Sequence, residues 1–157
     1  MSDLNTFPSV DLLVPHSEPM ILVDKIIHAD DTTVHCQVFV TAQSQFFNKE
    51  EKSIGAWVGI EYMAQTISAW SGYQSFLKKE TSPIGFLLGT RRYHSTSTLF
   101  NEGDVLDIYA EKLMESEGMG AFYCSIKCQN NELANAQLNV FVPNNEQLET
   151  MLKGKKE

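Results

Sequence analysis

The chain has 157 residues, 43% of them hydrophobic and 10% aromatic, enough for one domain with a sizeable core and too few for two. Lys and Arg number 12 against 20 Asp and Glu, a formal charge of -8, which sets up a field that repels phosphate backbones and anionic headgroups and argues against nucleic acid as a partner. No run approaches the roughly 20 apolar residues of a membrane span, and residues 1–14 lack the basic-then-apolar layout of a secretory leader, so the chain reads as cytoplasmic.

The first strand signal is the nearly continuous apolar run Met20 to His28, followed by a turn at Ala29-Asp30-Asp31-Thr32. From Thr33 to Ala42 the pattern alternates cleanly, with Val34, Cys36, Val38 and Val40 on one face. One long helix is predicted from Gly55 to Lys79, where Ile60, Met63, Ala64, Ile67, Trp70 and Tyr73 recur at helical spacing. Trp57, Val58, Tyr62 and Ala69 extend its apolar surface to other faces, which predicts burial nearly all round in the N-terminal part, while Lys78 and Lys79 suit the negative end of the dipole. After the break at Thr81-Ser82-Pro83, strands are predicted at Ile84 to Tyr93, Val105 to Met114, Gly120 to Gln129 and Glu132 to Val142. The turns between them are Asn101-Glu102-Gly103-Asp104, Ser116-Glu117-Gly118 and Asn130-Asn131, each short enough for antiparallel neighbours. The expected fold is α+β, an antiparallel sheet of about six strands wrapped around one long central helix. Residues 1–143 form the domain, and 144–157 form a polar tail.

Cys36, Cys124 and Cys128 form no C-x-x-C pair and lie in alternating apolar stretches, so they read as reduced core residues; no metal site and no cofactor are expected. Glu61 is the residue that patterning explains least. A carboxylate among Val58, Ile60, Tyr62, Met63 and Ala64 is costly in a core and suits a general acid, unless it lies on a solvent-facing sliver of the helix, paired with Gln65. Among four histidines, His28, His35 and His94 sit at ordinary surface or edge positions, whereas His16 lies between Pro15 and Pro19 in a stiff segment that can hold an imidazole. The predicted helix start offers backbone N–H groups to an oxyanion around Ala56 and Trp57, unobstructed by side chains at Gly55 and Gly59; close helix packing is the other use of those glycines.

Pro15-His16-Ser17-Glu18-Pro19-Met20-Ile21-Leu22-Val23-Asp24 resembles the P-H-x-x-P-x-L-L-V-D opening of the 3-hydroxyacyl-acyl carrier protein dehydratases of bacterial fatty acid synthesis. Gly59-Ile60-Glu61-Tyr62-Met63-Ala64-Gln65 resembles their E-x-M-A-Q core, and Gly85-Phe86-Leu87-Leu88-Gly89 with Asn101-Glu102-Gly103-Asp104 resembles a later strand and turn. The wording around Glu61 is more similar still to the hotdog dehydratases of aryl polyene clusters. The resemblance implies a hotdog fold, two subunits joined sheet edge to sheet edge as a homodimer or heterodimer, and dehydration of a 3-hydroxyacyl thioester on acyl carrier protein. Within it Glu61 is the carboxylate at the leaving hydroxyl, His16 is the candidate base as the one histidine in a family motif, a backbone donor lies near Ala56, and Trp57, Tyr62 and Phe86 are candidates to line an acyl tunnel, with Gly55 keeping the approach open. Lys78, Lys79, Arg91 and Arg92 are candidates for docking the acidic carrier, although strand alternation sets the two arginines on opposite faces unless the strand bulges.

One departure stands out. The fatty acid enzymes carry a loop histidine fourteen residues before the helix carboxylate, and that count from Glu61 reaches Phe47. Either His16 supplies the imidazole, or this subunit is catalytically weak, in the limit a non-catalytic hotdog subunit that pairs with an active dehydratase. A hotdog thioesterase using Glu61 to activate water is the other alternative.

Overall fold

In the computed structural model, which describes residues 7–14, 20–79 and 86–141, nine strands and one α-helix form two sheets of unequal size. The strands are β1 (Lys25–Ala29), β2 (Thr33–Phe39), β3 (Phe47–Asn48), β4 (Ser53–Gly55), β5 (Phe86–Ser95), β6 (Leu99–Asn101), β7 (Val105–Ser116), β8 (Met119–Cys128) and β9 (Asn131–Phe141). A 3-10 turn, Ala56–Val58, leads directly into the helix α1, Gly59–Leu77. The large sheet has the order β1-β2-β7-β8-β9-β5 and is antiparallel throughout. The polar tail at 144–157 lies outside the described residues.

Alternation decides which face of the sheet meets the helix. Val34, Cys36 and Val38 of β2, Leu106 and Ile108 of β7, Phe122, Cys124 and Ile126 of β8, and Ala136 and Leu138 of β9 are all buried, as are Met63, Ile67 and Ala69 of α1. Each large aliphatic side chain removed from water in this layer contributes about 1.5–3 kcal/mol. Burial also pushes the thiols of Cys36 and Cys124 up to about 12, so both are inert packing groups.

The turns follow local chemistry. Asp30 accepts hydrogen bonds from the N–H groups of Thr32 (3.0 Å) and Thr33 (2.8 Å), which hold its carboxyl well below the usual carboxylate range and close the β1–β2 hairpin. The Asp30 carbonyl in turn accepts from the Trp70 indole (2.8 Å) and the Gln74 amide (3.0 Å), fastening this hairpin to α1. Glu117 and Gly118 (φ 52° and 84°), then Gln129 and Asn130 (φ 52° and 69°), form two-residue turns with both central residues left-handed, the twist that suits β7–β8 and β8–β9.

Several boundaries differ from expectation, each because long-range pairing overrides local pattern. The helix opens later than Gly55, since Gly55 is held in β4 opposite Leu99 and the Ala56 N–H donates to the Thr98 carbonyl at 2.9 Å. The last hairpin turn is Gln129-Asn130, one residue earlier than Asn130-Asn131. The turn at Asn101–Asp104 joins β6 of the small sheet to β7 of the large one, so its flanking strands are not neighbours. The first strand begins at Lys25, and β5 continues to Ser95 where an end at Tyr93 was expected, its expected start at Ile84 lying outside the described residues. A bulge interrupts β5 between Arg91 and His94, with Arg92 at φ 55°, so the simple alternation that separates Arg91 from Arg92 fails there.

His35 is more than an ordinary surface residue. Its Nε2 lies 2.7 Å from Asp107 Oδ1, and its ring stacks on Tyr109 at 4.3 Å between centroids, bracing the outer face of β2 against β7.

Gly72 is the tightest contact of α1 with the N-terminal 3-10 turn, Val10–Leu12, because a Cβ there would run into the Leu13 carbonyl. Gly72→Ala gains helix propensity but overpacks this seam, and a net loss of about 2 kcal/mol is expected. Calorimetry should then show Tm falling by about 4–8 °C for a domain of this size.

Candidate active site

The start of α1 is pinned from two sides. Besides the Ala56 N–H bond to Thr98, the Tyr93 hydroxyl of β5 donates to the Ala56 carbonyl. Gly59 permits this closeness, since a Cβ there would strike the Tyr93 hydroxyl and lie 2.9 Å from Ile126 Cδ1. The anchored backbone then presents Glu61 in the first turn of α1, where a carboxylate is favoured by the positive end of the helix dipole.

Glu61 is exposed in the single subunit rather than enclosed in the core, and Trp57 one turn earlier is 63% exposed. The expectation of burial nearly all round holds for Val58, Tyr62 and Ala69 and fails on this side of the helix. The pairing of Glu61 with Gln65 is also absent. Gln65, 1% exposed, accepts from the Leu22 N–H through Oε1 (2.8 Å) and donates from Nε2 to the Met20 carbonyl (2.6 Å). Its amide therefore fastens the stretch that follows the Pro15–Pro19 segment to the helix, one turn beyond Glu61. His16 itself lies outside the described residues. Nothing in hydrophobic patterning marked Gln65; its one signal was its place in the motif, four residues after the carboxylate.

Tyr62 lines a cavity of about 330 Å³ together with Ile21, Leu22, Asp24, Val38 and Phe39. Burial, reinforced by the Asp24 carboxylate, holds the Tyr62 hydroxyl well above the ordinary phenol range, so it stays protonated. Asp24 accepts from the Phe39 N–H at 2.7 Å and so closes the cavity's outer wall. Phe86 opens β5, and its side chain lies outside the described residues. Among the expected tunnel residues, then, Tyr62 borders this cavity and Trp57 does not.

The Ala56 N–H, engaged with Thr98, is not available to a ligand carbonyl in this subunit. The next N–H, that of Trp57, belongs to the 3-10 turn that leads into α1 and lies too near its start to have an acceptor within that turn. At the position of the missing histidine, Phe47 is half-buried in β3 opposite Ile54, and Phe46 beside it packs edge to face on Trp57 at 5.5 Å between centroids. Lys78, Lys79 and Arg92 are exposed, while the side chain of Arg91 lies outside the described residues. Among the described residues, no group of three or more His, Cys, Asp or Glu is placed to hold a metal ion, and no helix is long and apolar enough to cross a membrane.

The family model for ApeP-like proteins, described as ApeP dehydratase, matches residues 8–153. The chain belongs to this dehydratase family. It is 26% identical over 141 residues to the 3-hydroxyacyl-[acyl-carrier-protein] dehydratase FabZ of Colwellia psychrerythraea, covering 87% of this chain and 90% of that protein. The dehydratase heterocomplex ApeI:P from Xenorhabdus doucetiae contains a chain 35% identical, superposing with a TM-score of 0.87 over 94% of this chain and 99% of that one. A hypothetical thioesterase protein from Streptococcus pneumoniae, 15% identical with a TM-score of 0.59 over 75% of this chain and 86% of its own, shares the fold alone. The fold is the hotdog fold, a sheet wrapped around one helix, and the protein is a dehydratase of the fatty acid or aryl polyene type whose reaction removes water from a 3-hydroxyacyl thioester.

Because the Gln65 amide satisfies one backbone donor and one backbone acceptor at once, Gln65→Leu should cost about 1–3 kcal/mol in urea unfolding. Faster hydrogen exchange at the Leu22 amide would accompany it. Gln65→Glu, which keeps an acceptor for Leu22 but sets a buried carboxylate against the Met20 carbonyl, should cost at least as much at neutral pH.

Proposed function

We propose that Glu61 and an imidazole form the acid–base pair of this dehydratase, with His16 as the imidazole carried by the chain itself. The observation that supports the pairing is the Gln65 clamp, which ties the residues just after the His16 segment to the helical turn just after Glu61. In the reaction the imidazole takes a proton from the carbon next to the thioester carbonyl, the C–O bond to the hydroxyl breaks, and the departing oxygen leaves as water with a proton delivered or oriented by Glu61. The Trp57 N–H is the donor best suited to the carbonyl oxygen as charge develops there. No cofactor takes part.

The substrate is an acyl group carried on acyl carrier protein, in fatty acid or aryl polyene biosynthesis. The carrier is acidic and this chain carries -8, so docking requires local positive charge, for which Lys78, Lys79, Arg91 and Arg92 are the candidates. Free, buried thiols at Cys36 and Cys124 fit an enzyme of the reducing cytoplasm. The working unit is a dimer of hotdog subunits. Phe47 at the histidine position favours a second reading of that dimer: this subunit contributes Glu61, and a different hotdog subunit contributes the imidazole. The exposure of Glu61 suits both arrangements, since a partner can reach it.

The test is incubation with a 3-hydroxyacyl-carrier protein, alone and with a co-purified hotdog partner, followed by mass spectrometry of the carrier. Loss of one water with the thioester retained is expected, whereas appearance of the free acid would reject dehydration in favour of thioester hydrolysis. Glu61→Gln should lower the rate more than a hundredfold, about 2.7 kcal/mol of barrier. A similar loss in His16→Ala assigns the imidazole to this chain; full activity of His16→Ala in the presence of the partner assigns it to the other subunit.

A further inference from the structure

The peptide unit that joins Ala56 to Trp57 is held through its carbonyl. That oxygen accepts two hydrogen bonds, one from the Gly59 N–H within the same turn and one from the Tyr93 hydroxyl across the fold. A trans peptide is planar, and its N–H points opposite to its C=O. Whatever fixes the Ala56 carbonyl therefore also fixes the Trp57 N–H, the donor assigned above to the thioester oxygen, and aims it out of the helix start.

Tyr93 reaches this carbonyl because its strand is irregular. Across β5 and β9, Arg91 lies opposite Gln137 and His94 opposite Asn135, so Arg92 and Tyr93 share the single residue Ala136. With regular pairing continued from Arg91, Tyr93 would fall opposite Asn135, on the outer face of the sheet, since Ala134, Ala136 and Leu138 are the buried residues of β9. The bulge turns the ring inward instead. Arg92 supplies the kink at φ 55°, a left-handed conformation that a residue with a Cβ resists. Phe46 is held likewise at φ 69°, with its ring edge to face on the Trp57 indole at 66° between planes, so the side chain beyond the same peptide is braced as well. Unfavourable backbone kept on both sides of one peptide beside a reacting centre is a sign of use.

Proton removal next to the thioester drives negative charge onto the carbonyl oxygen, and a donor helps most when it already points there. A carbonyl that accepts from a phenol also leaves the N–H of its own peptide a stronger donor, because hydrogen bonds in series polarise one another. Burial pushes the Tyr93 hydroxyl above the ordinary phenol range, so it remains a donor around neutral pH. We infer that Tyr93 is a positioning residue for dehydration, acting through the Ala56 carbonyl to aim and polarise the Trp57 N–H at the thioester oxygen. The inference rests on the dehydratase reading above and adds to its site a residue that works without touching substrate.

The test compares wild type with Tyr93→Phe, which keeps the ring and loses only the hydroxyl. In the carrier-protein assay above, run well below both melting temperatures, kcat should fall about tenfold with KM held within about twofold, a smaller loss than removal of a whole oxyanion donor. The flanks of the pH profile should stay in place. In parallel, infrared difference spectra of bound crotonoyl-pantetheine, isotopically labelled at the thioester carbonyl carbon, should show a lower stretching frequency in wild type than in Tyr93→Phe. An unchanged kcat in an active protein, whatever happens to Tm, overturns the inference, as does a loss confined to KM. A moved pH flank also overturns it, because Tyr93 would then exchange a proton itself. So does failure of the wild type to bind the thioester, or a carbonyl frequency that is the same in both proteins. Since binding needs no turnover, a lowered frequency that Tyr93→Phe abolishes, in a protein that leaves 3-hydroxyacyl thioesters intact, upholds the positioning role and rejects the reaction.

Discussion

The short stretch Gly55–Gly59 is the constraint on which the rest of the molecule depends. There the chain changes from strand to helix with its backbone held on both sides, by Thr98 through the Ala56 N–H and by Tyr93 through the Ala56 carbonyl. Buried main-chain groups that lacked such partners would each cost about 1–3 kcal/mol, so the two bonds specify where the helix begins as well as stabilise it. Tyr93 and Thr98 belong to the chain after the helix, which means that the position of Glu61 is set by residues more than thirty places away in sequence. The proposed carboxylate is thus delivered by the closure of the fold, and its helix is the messenger.

The division of labour along that helix follows from its depth. Its middle, at Met63, Ile67 and Ala69, is fully covered by the sheet, while its N-terminal turn rises to the surface with Trp57 and Glu61. A single element therefore joins a water-free core to a solvent-accessible acid without placing an ionised group in an apolar interior, which would carry a large desolvation cost. Gln65 lies at the boundary between the two zones. A neutral amide can be buried there because both of its ends are satisfied by main chain, a role no carboxylate could fill, since it lacks a donor.

Much of this architecture was legible in the residues. The six strands of the large sheet and the single helix follow from apolar runs and from period-two and period-3.6 spacing, most cleanly where β2, β7 and β9 bury alternate residues. What pattern did not reveal has one common cause, the long-range pairing of backbone. β3, β4 and β6 are only two or three residues long, too short for any periodicity, and exist because they pair with each other. Capture of Gly55 by β6 delays the helix, and the exposure of Glu61 and Trp57 follows from how far that end emerges from the sheet. The motif around Glu61 pointed correctly to a dehydratase, yet the partners of Gln65 and the left-handed turn at Phe46 have no signature in residue type. For Phe46 the local preference is in fact contrary, and only the assembled structure shows what compensates it.

The outer strands of the large sheet have one more consequence. β1 is interrupted between Ile26 and His28, and β5 both between Leu87 and Gly89 and between Arg91 and His94. Irregular borders of this kind leave only short straight lengths of main chain to accept a neighbour. A chain concentrated beside its own copies is thereby protected from open-ended lateral growth into fibres, and any association along such a border must draw its selectivity from side chains rather than from the ladder itself.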